Sequence, residues 1–186
     1  MTVERTYPPN SRGCFVCGEE NHAGLRTRFF VEDGKVKAHL DPSRHHCGYE
    51  NVVHGGVIAA ILDESMGWAA ARAIGRMCVT AELTVRYVRS VPADRPTIVE
   101  TEIVKSNRLL ALARGRIVDA DGEEFARAEG KFIPLSPEQT LAVDDQLLYR
   151  GGEERLFDGL RSASNSTGRF PGSAGVSPSP SSNTSR

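Results

Sequence analysis

Long apolar runs are missing from this 186-residue chain, the longest being Val57 to Leu62. That is far short of the ~20 residues a membrane-spanning helix requires. Charge of one sign is missing as well. Lys and Arg number 23 against 24 Asp and Glu, a net charge of -1, so no global basic field argues for nucleic acid as a partner. The start, Met1-Thr2-Val3-Glu4-Arg5, has neither the basic opening nor the apolar core of a signal peptide. A cytoplasmic chain with no membrane partner is the expectation, long enough for one domain with extensions.

Cysteine is also scarce. Four cysteines do not build a disulfide framework in a chain of this size. Cys14-Phe15-Val16-Cys17 is a CxxC, and His45-His46-Cys47 offers further residue types that ligate zinc. No second CxxC occurs, and the separation fits no standard finger. The expectation is two reduced thiols beside a turn, with Cys78 a plain strand residue and no metal.

What the chain does have is organisation. Residues 1–13 carry Pro8-Pro9 and read as an extended arm. Two alternating runs, Leu25–Val31 and Lys35–Leu40, flank Asp33-Gly34, a strong hairpin signal. Residues 55–75 form the one long helix. Ile58, Ile61, Leu62, Ser65, Trp68, Ala69 and Arg72 recur at helical spacing, and Gly75 is placed to end it. A second face carries the small residues Gly56, Ala59, Ala60, Gly67 and Ala70, with Asp63 its functional group.

Strands follow. Val79, Ala81, Leu83, Val85 and Tyr87 alternate with Thr80, Glu82, Thr84 and Arg86. Thr97–Lys105, Leu109–Val118 and Glu124–Ile133 complete a meander, the last two as a hairpin around Asp119-Ala120-Asp121-Gly122. Residues 135–161 read as an extension, partly helical, and 162–186 as a disordered Ser/Pro/Gly-rich tail. One long helix with one antiparallel sheet is an α+β plan, the sheet wrapping the helix. Its open small-residue face and sheet edge predict a homo-oligomer.

The segment Asn51 to Glu64 concentrates the chemistry. His54, Gly55 and Gly56 stand at the helix start, where unpaired N–H groups and the helix dipole polarise a carbonyl or hold an anion. Two turns inside are Asp63 and Glu64, costly on an apolar helix without a partner or a task. The combination points to attack on an activated carbonyl.

Four segments of residues 14–134 resemble the hotdog-fold thioesterases, specifically the PaaI-like acyl-CoA thioesterases. They are Cys14-Phe15-Val16-Cys17-Gly18 with Asn21 and Gly24-Leu25; Val53-His54-Gly55-Gly56 with Leu62-Asp63-Glu64; Thr80 to Tyr87; and Asp121-Gly122 with Ala126 to Gly130. The resemblance implies a central helix wrapped by an antiparallel sheet, a dimer or tetramer, and two acyl-CoA sites at each dimer interface. It implies hydrolysis of a thioester to free acid and CoA with no cofactor, coenzyme A being part of the substrate.

Within that reading the Gly56 N–H, with Gly55 beside it, polarises the thioester carbonyl, and Asp63 acts as general base or nucleophile. Seven residues separate Gly56 from Asp63, about 10 Å along the axis, too far for one helix to serve one carbonyl. The expectation is a shared site, with Gly56 from one protomer and Asp63 from its neighbour. Glu64 is the rival carboxylate, turned about 100° away and read as a buried polar link or interface contact on the substrate side. His54 is a group for the thioester sulfur or a water, and Thr80, by resemblance, orients the water with Asp63. Arg86, Arg89, Lys105 and Arg108 are the cations for the CoA phosphates. Two other readings share the fold. A non-catalytic acyl-CoA-binding module has no need to keep the Gly56/Asp63 pair, and a hydratase or dehydratase wants a His facing a carboxylate across a tunnel.

Overall fold

A computed structural model describes residues 4–166. Strand β1 (Asn10–Ser11) precedes the hairpin of β2 (Phe29–Glu32) and β3 (Lys35–Leu40). Asp33 and Gly34 both take positive φ, 53° and 75°, the paired left-handed turn that suits the twist of a two-residue hairpin. β2 begins later than its sequence pattern suggests. Leu25 and Thr27 instead donate their N–H groups to the Phe15 and Val16 carbonyls at 2.8 Å, so this stretch lines the cysteine turn. A small hairpin, β4 (Cys47–Tyr49) and β5 (Val52–Val53), then delivers the chain to α1 (Gly55–Ile74). Gly75 ends α1 in the left-handed region at φ 73° and donates its N–H to the Ala71 carbonyl.

After the helix come β6 (Cys78–Tyr87), β7 (Thr97–Ser106), β8 (Ala111–Asp119) and β9 (Glu124–Pro134), then α2 (Pro137–Asp144), β10 (Leu147–Leu148) and α3 (Asp158–Ser166). The main sheet runs β2-β3-β7-β8-β9-β6, every neighbouring pair antiparallel. The expected meander therefore holds for β7, β8 and β9. β6 departs from it: the chain leaves β3, crosses with α1, and lays β6 against the far side of β9. With β6 as edge strand, Val79 and Tyr87 stay 49% and 52% exposed. An edge of this kind offers unpaired backbone groups to a second chain.

The sheet wraps α1, whose Ile58, Ile61, Leu62 and Met66 are fully buried among Val36, Val99, Ile117 and Phe132. The inner face of β8 and β9 is built of small residues, which lets the helix lie close. A methyl group on Gly115 would stand 2.6 Å from the Thr101 methyl and 3.2 Å from a Leu62 methyl. Helix and sheet also share a buried polar contact. Ser65 Oγ and Thr101 Oγ1 lie 3.1 Å apart, and Thr101 Oγ1 reaches the Val36 and Ser65 carbonyls, so neither hydroxyl is left unpaired. No helix among the described residues is long and apolar enough to cross a membrane.

The arm and the extension form one clasp. Thr6 bridges to Val31 and Tyr7 to Glu153, while β1 pairs with β10. Arg72 of α1 holds Glu154 through Nε at 2.7 Å and Nη2 at 2.8 Å, and Thr6 Oγ1 donates to the same carboxylate at 2.7 Å. Arg161 of α3 pairs with Asp144 and Asp145. Residues 162–166 belong to helix α3, a correction to the disordered tail expected from 162 onward. Residues 1–3 and 167–186 lie outside the described residues.

Burial alone would raise the Glu154 carboxyl, but the hydrogen bonds from Arg72 and Thr6 outweigh it and hold it below its ordinary 4.5. A depressed folded value means the clasp's stabilisation is present above pH 4.5 and is lost as the pH falls below it and through the folded value. Glu154→Gln is therefore expected to flatten the fall in melting temperature on acidification. Parallel acid curves for wild type and variant would contradict this role.

Candidate active site

The helix start is set by short-range geometry. The His54 N–H donates to the His46 carbonyl at 2.9 Å, and Val53 N–H to Val91 at 2.9 Å, fixing where α1 begins. His54 is the N-cap, with φ -61° and ψ 136°, and its Nδ1 accepts the Gly56 N–H at 2.9 Å. The N–H that the sequence assigns to the thioester oxygen is thus already engaged by the neighbouring imidazole. With Nδ1 accepting, the ring proton sits on Nε2, on an exposed residue.

The two glycines make room for aromatic rings. A methyl on Gly56 would come 3.0 Å from His54 Nδ1, and one on Gly48 3.0 Å from His54 Cδ2. Gly55 sits against the Tyr87 ring, 3.4 Å from where a methyl would stand, and its carbonyl accepts the Tyr87 hydroxyl at 2.8 Å. A cavity of about 610 Å³ opens here between Tyr49, Val53, His54, Ile58, Tyr87 and Val91. Neither the histidine cap nor Tyr87 was visible from the sequence. The one available signal was an imidazole two residues before a glycine N–H at a helix start.

Asp63 and Thr80 meet: Thr80 Oγ1 donates to Asp63 Oδ1 at 2.7 Å. A strict period of two would put Thr80 on the outer face with Glu82, away from the helix. Thr80 pairs with Phe132 and Glu82 with Lys131, leaving Ala81 as the extra residue of a β-bulge. The bulge turns Thr80 inward beside Phe132, and bulges commonly re-aim a side chain in this way. Asp63 and Thr80 line a cavity of about 240 Å³ with Gly67, Trp68, Met77 and Phe132.

Glu64 borders the same cavity but is engaged by the cysteine turn. Its Oε1 accepts the Cys17 thiol at 3.1 Å. Burial first, then the adjacent Cys14 sulfur, push its carboxyl up to about 7. The Cys14 thiol is lowered by hydrogen bonds from the Cys17 thiol and the Cys17 and Val16 N–H groups, and Cys17 is raised by the same contact and by burial. His45, His46 and Cys47 do not join this group; among the described residues the cluster of metal-ligating atoms is Cys14, Cys17 and Glu64.

The four expected cations are not brought together within one subunit. Arg86 and Arg89 lie at the helix-start end of β6, where Arg89 is paired with Glu123. Lys105 closes β7 at the opposite end, and the Arg108 carbonyl is bound by Arg76, just past the end of α1.

Residues 50–126 match the family model of the thioesterase superfamily, a span that holds His54, Gly56, Asp63 and Thr80. A solved thioesterase superfamily protein is 30% identical, covering 66% of this chain and 63% of its own, with a TM-score of 0.61. The fold is that of the hotdog thioesterases. The hotdog likeness extends to the Escherichia coli PaaI protein, 16% identical over 60% of this chain and 81% of that one, with a TM-score of 0.55. A Streptococcus mutans protein bound to acetyl-CoA is 19% identical over 55% of this chain and 82% of its own, TM-score 0.51. An uncharacterized protein of Schizosaccharomyces pombe is 29% identical over 115 residues, 58% of this chain. The chain spans 66% of that curated relative and 63% of the first solved structure, and the likeness to PaaI drawn from the sequence stands at the level of the fold.

Proposed function

We propose that this chain is an acyl-CoA thioesterase, and the observation that carries the reading is Asp63 held by Thr80 on the cavity-facing side of α1. A free carboxylate positioned by a hydroxyl can take a proton from water as it attacks the thioester carbon, or attack that carbon itself. The carbonyl electrons move to oxygen, the C–S bond breaks as they return, and CoA leaves as a thiolate that is then protonated; where Asp63 itself attacks, water then cleaves the resulting anhydride to free acid and Asp63. The developing oxyanion needs an N–H donor, and the start of α1 supplies one about 10 Å from Asp63 along the axis. The two halves come from different subunits, meeting across the small face of Ala59, Ala60 and Gly67 beside the open edge of β6. His54 is the group that governs the donor, since its ring must yield the Gly56 N–H for the oxygen to receive it. The acetyl-CoA in the Streptococcus mutans neighbour supports the substrate class.

The engaged Gly56 N–H also favours a second reading, an acyl-CoA-binding module that never forms an oxyanion. Hydrolysis of a panel of short, long and aromatic acyl-CoAs by wild type decides between them. Mixing Asp63→Ala with Gly56→Pro subunits, each inactive alone, should restore activity in hybrids if the site is shared. Acyl-CoA binding without turnover by wild type would make the module the correct reading, and hybrids that stay silent would exclude a shared site.

A further inference from the structure

We propose that Cys14, Cys17 and Glu64 bind a zinc ion that ties the cysteine turn to α1, one residue beyond Asp63. This goes beyond the thioesterase reading and does not rest on it.

The turn is built to present two sulfurs to one point. Gly18 N–H donates to the Cys14 carbonyl at 3.0 Å, and Val16 N–H donates to Cys14 Sγ at 3.3 Å. A side chain at Gly18 would stand 2.2 Å from the Cys14 carbonyl oxygen and 2.6 Å from its nitrogen, so only glycine closes this turn. The loop is held in place from outside: Leu25 and Thr27 bind the Phe15 and Val16 carbonyls, and Asn21 Nδ2 donates to the Gly13 carbonyl at 3.2 Å. These bonds prearrange the sulfurs before any ligand arrives.

The third donor comes from the helix. Both sulfurs and a Glu64 oxygen lie within 4.8 Å of one another, and Cys17 is 1% exposed. Among the described residues no cation, amide or hydroxyl hydrogen-bonds Glu64; its partners are the two thiols. A carboxylate placed against sulfur with no positive partner is costly, and a divalent cation between the three removes that cost. Two thiolates and a carboxylate are a donor set for zinc, with sulfur at about 2.3 Å, oxygen at about 2.1 Å and a fourth position for a water. Tetrahedral placement at those lengths asks for movements of about an ångström or less in the three side chains. Asp63 lines a cavity together with Glu64, but its Oδ1 accepts the Thr80 hydroxyl and it is not among the clustered ligand atoms, so binding and hydrolysis separate experimentally.

The full chain, reduced and stripped with a chelator, would be titrated with cobalt(II) and then zinc(II). One equivalent of cobalt should bind with an intense near-ultraviolet thiolate-to-metal band, and zinc should abolish that band. The double variant Cys14→Ser/Cys17→Ser should lose the band, and Glu64→Gln should weaken binding about tenfold or more, while Asp63→Asn and Cys47→Ser should bind as wild type does. Wild-type protein is sufficient where a variant fails to fold: its stoichiometry, and a melting temperature that rises with zinc and falls back with chelator, give the answer. Reduced wild type that takes up no equivalent of cobalt with a thiolate band overturns the site, as does unchanged binding by the double cysteine variant. Wild-type protein that binds the metal but hydrolyses no acyl-CoA would count against the thioesterase reading alone.

Discussion

Asp63→Asn is expected to lower kcat for acyl-CoA hydrolysis by about 10²- to 10⁴-fold, the range for removal of a general acid or base. The substitution keeps the shape of the side chain and leaves an oxygen to accept the Thr80 hydroxyl, which lies 2.7 Å away. What it removes is the charge and the basicity. Asp63 is only half-buried, so the fold should survive with little change in melting temperature, and the loss can be assigned to chemistry. Thr80→Val would test the same contact from the other side. A hydrogen bond to a charged group contributes roughly 1.5–3 kcal/mol, so a drop in kcat of roughly 10- to 150-fold is the most this contact would give, within or below the range for Asp63→Asn. An Asp63→Asn enzyme within threefold of wild type would remove Asp63 from the mechanism.

Phe132→Ala should be the most damaging single change to stability, costing about 3–5 kcal/mol, as large aromatic truncations in cores do. Phe132 is 1% exposed and sits where helix, sheet and cavity meet. A methyl on Gly130 would stand 2.6 Å from its ring, and one on Gly67 of α1 would stand 3.8 Å from it. The ring thus lies over the strand backbone and under the small face of the helix, a space other side chains cannot fill by collapsing. It also pairs across the sheet with Thr80, so its loss should loosen the Asp63 contact as well. Denaturant unfolding measures the effect, and a loss under about 1 kcal/mol would show that the neighbours repack.

The α1 helix, its glycine stop, the Asp33-Gly34 hairpin and the inward face of Ala126, Ala128, Gly130 and Phe132 were legible in the sequence because each rests on local periodicity or turn chemistry. The facing of Thr80 was not, because one extra residue at Ala81 inverts the alternation and no residue type announces it. The seat of β6 beside β9 was hidden for a related reason: strand order depends on how α1 crosses the sheet. Cys17 and Glu64 are 47 residues apart, and only the packed loop brings them together. The phosphate cations, chosen by charge alone, dispersed to opposite ends of the helix because spacing along a strand carries no information on what lies across it.

The Arg72–Glu154–Thr6 contact has a practical meaning for anyone choosing where to cut this chain. The segment recognised by the superfamily, residues 50–126, contains Arg72 but neither of its companions. Excising it, or even residues 14–134, would leave the guanidinium without Glu154, and the longer fragment would also lose the Thr6 bridge to Val31 on β2. The recognisable unit of descent is shorter than the stretch of polypeptide that satisfies the Arg72 guanidinium.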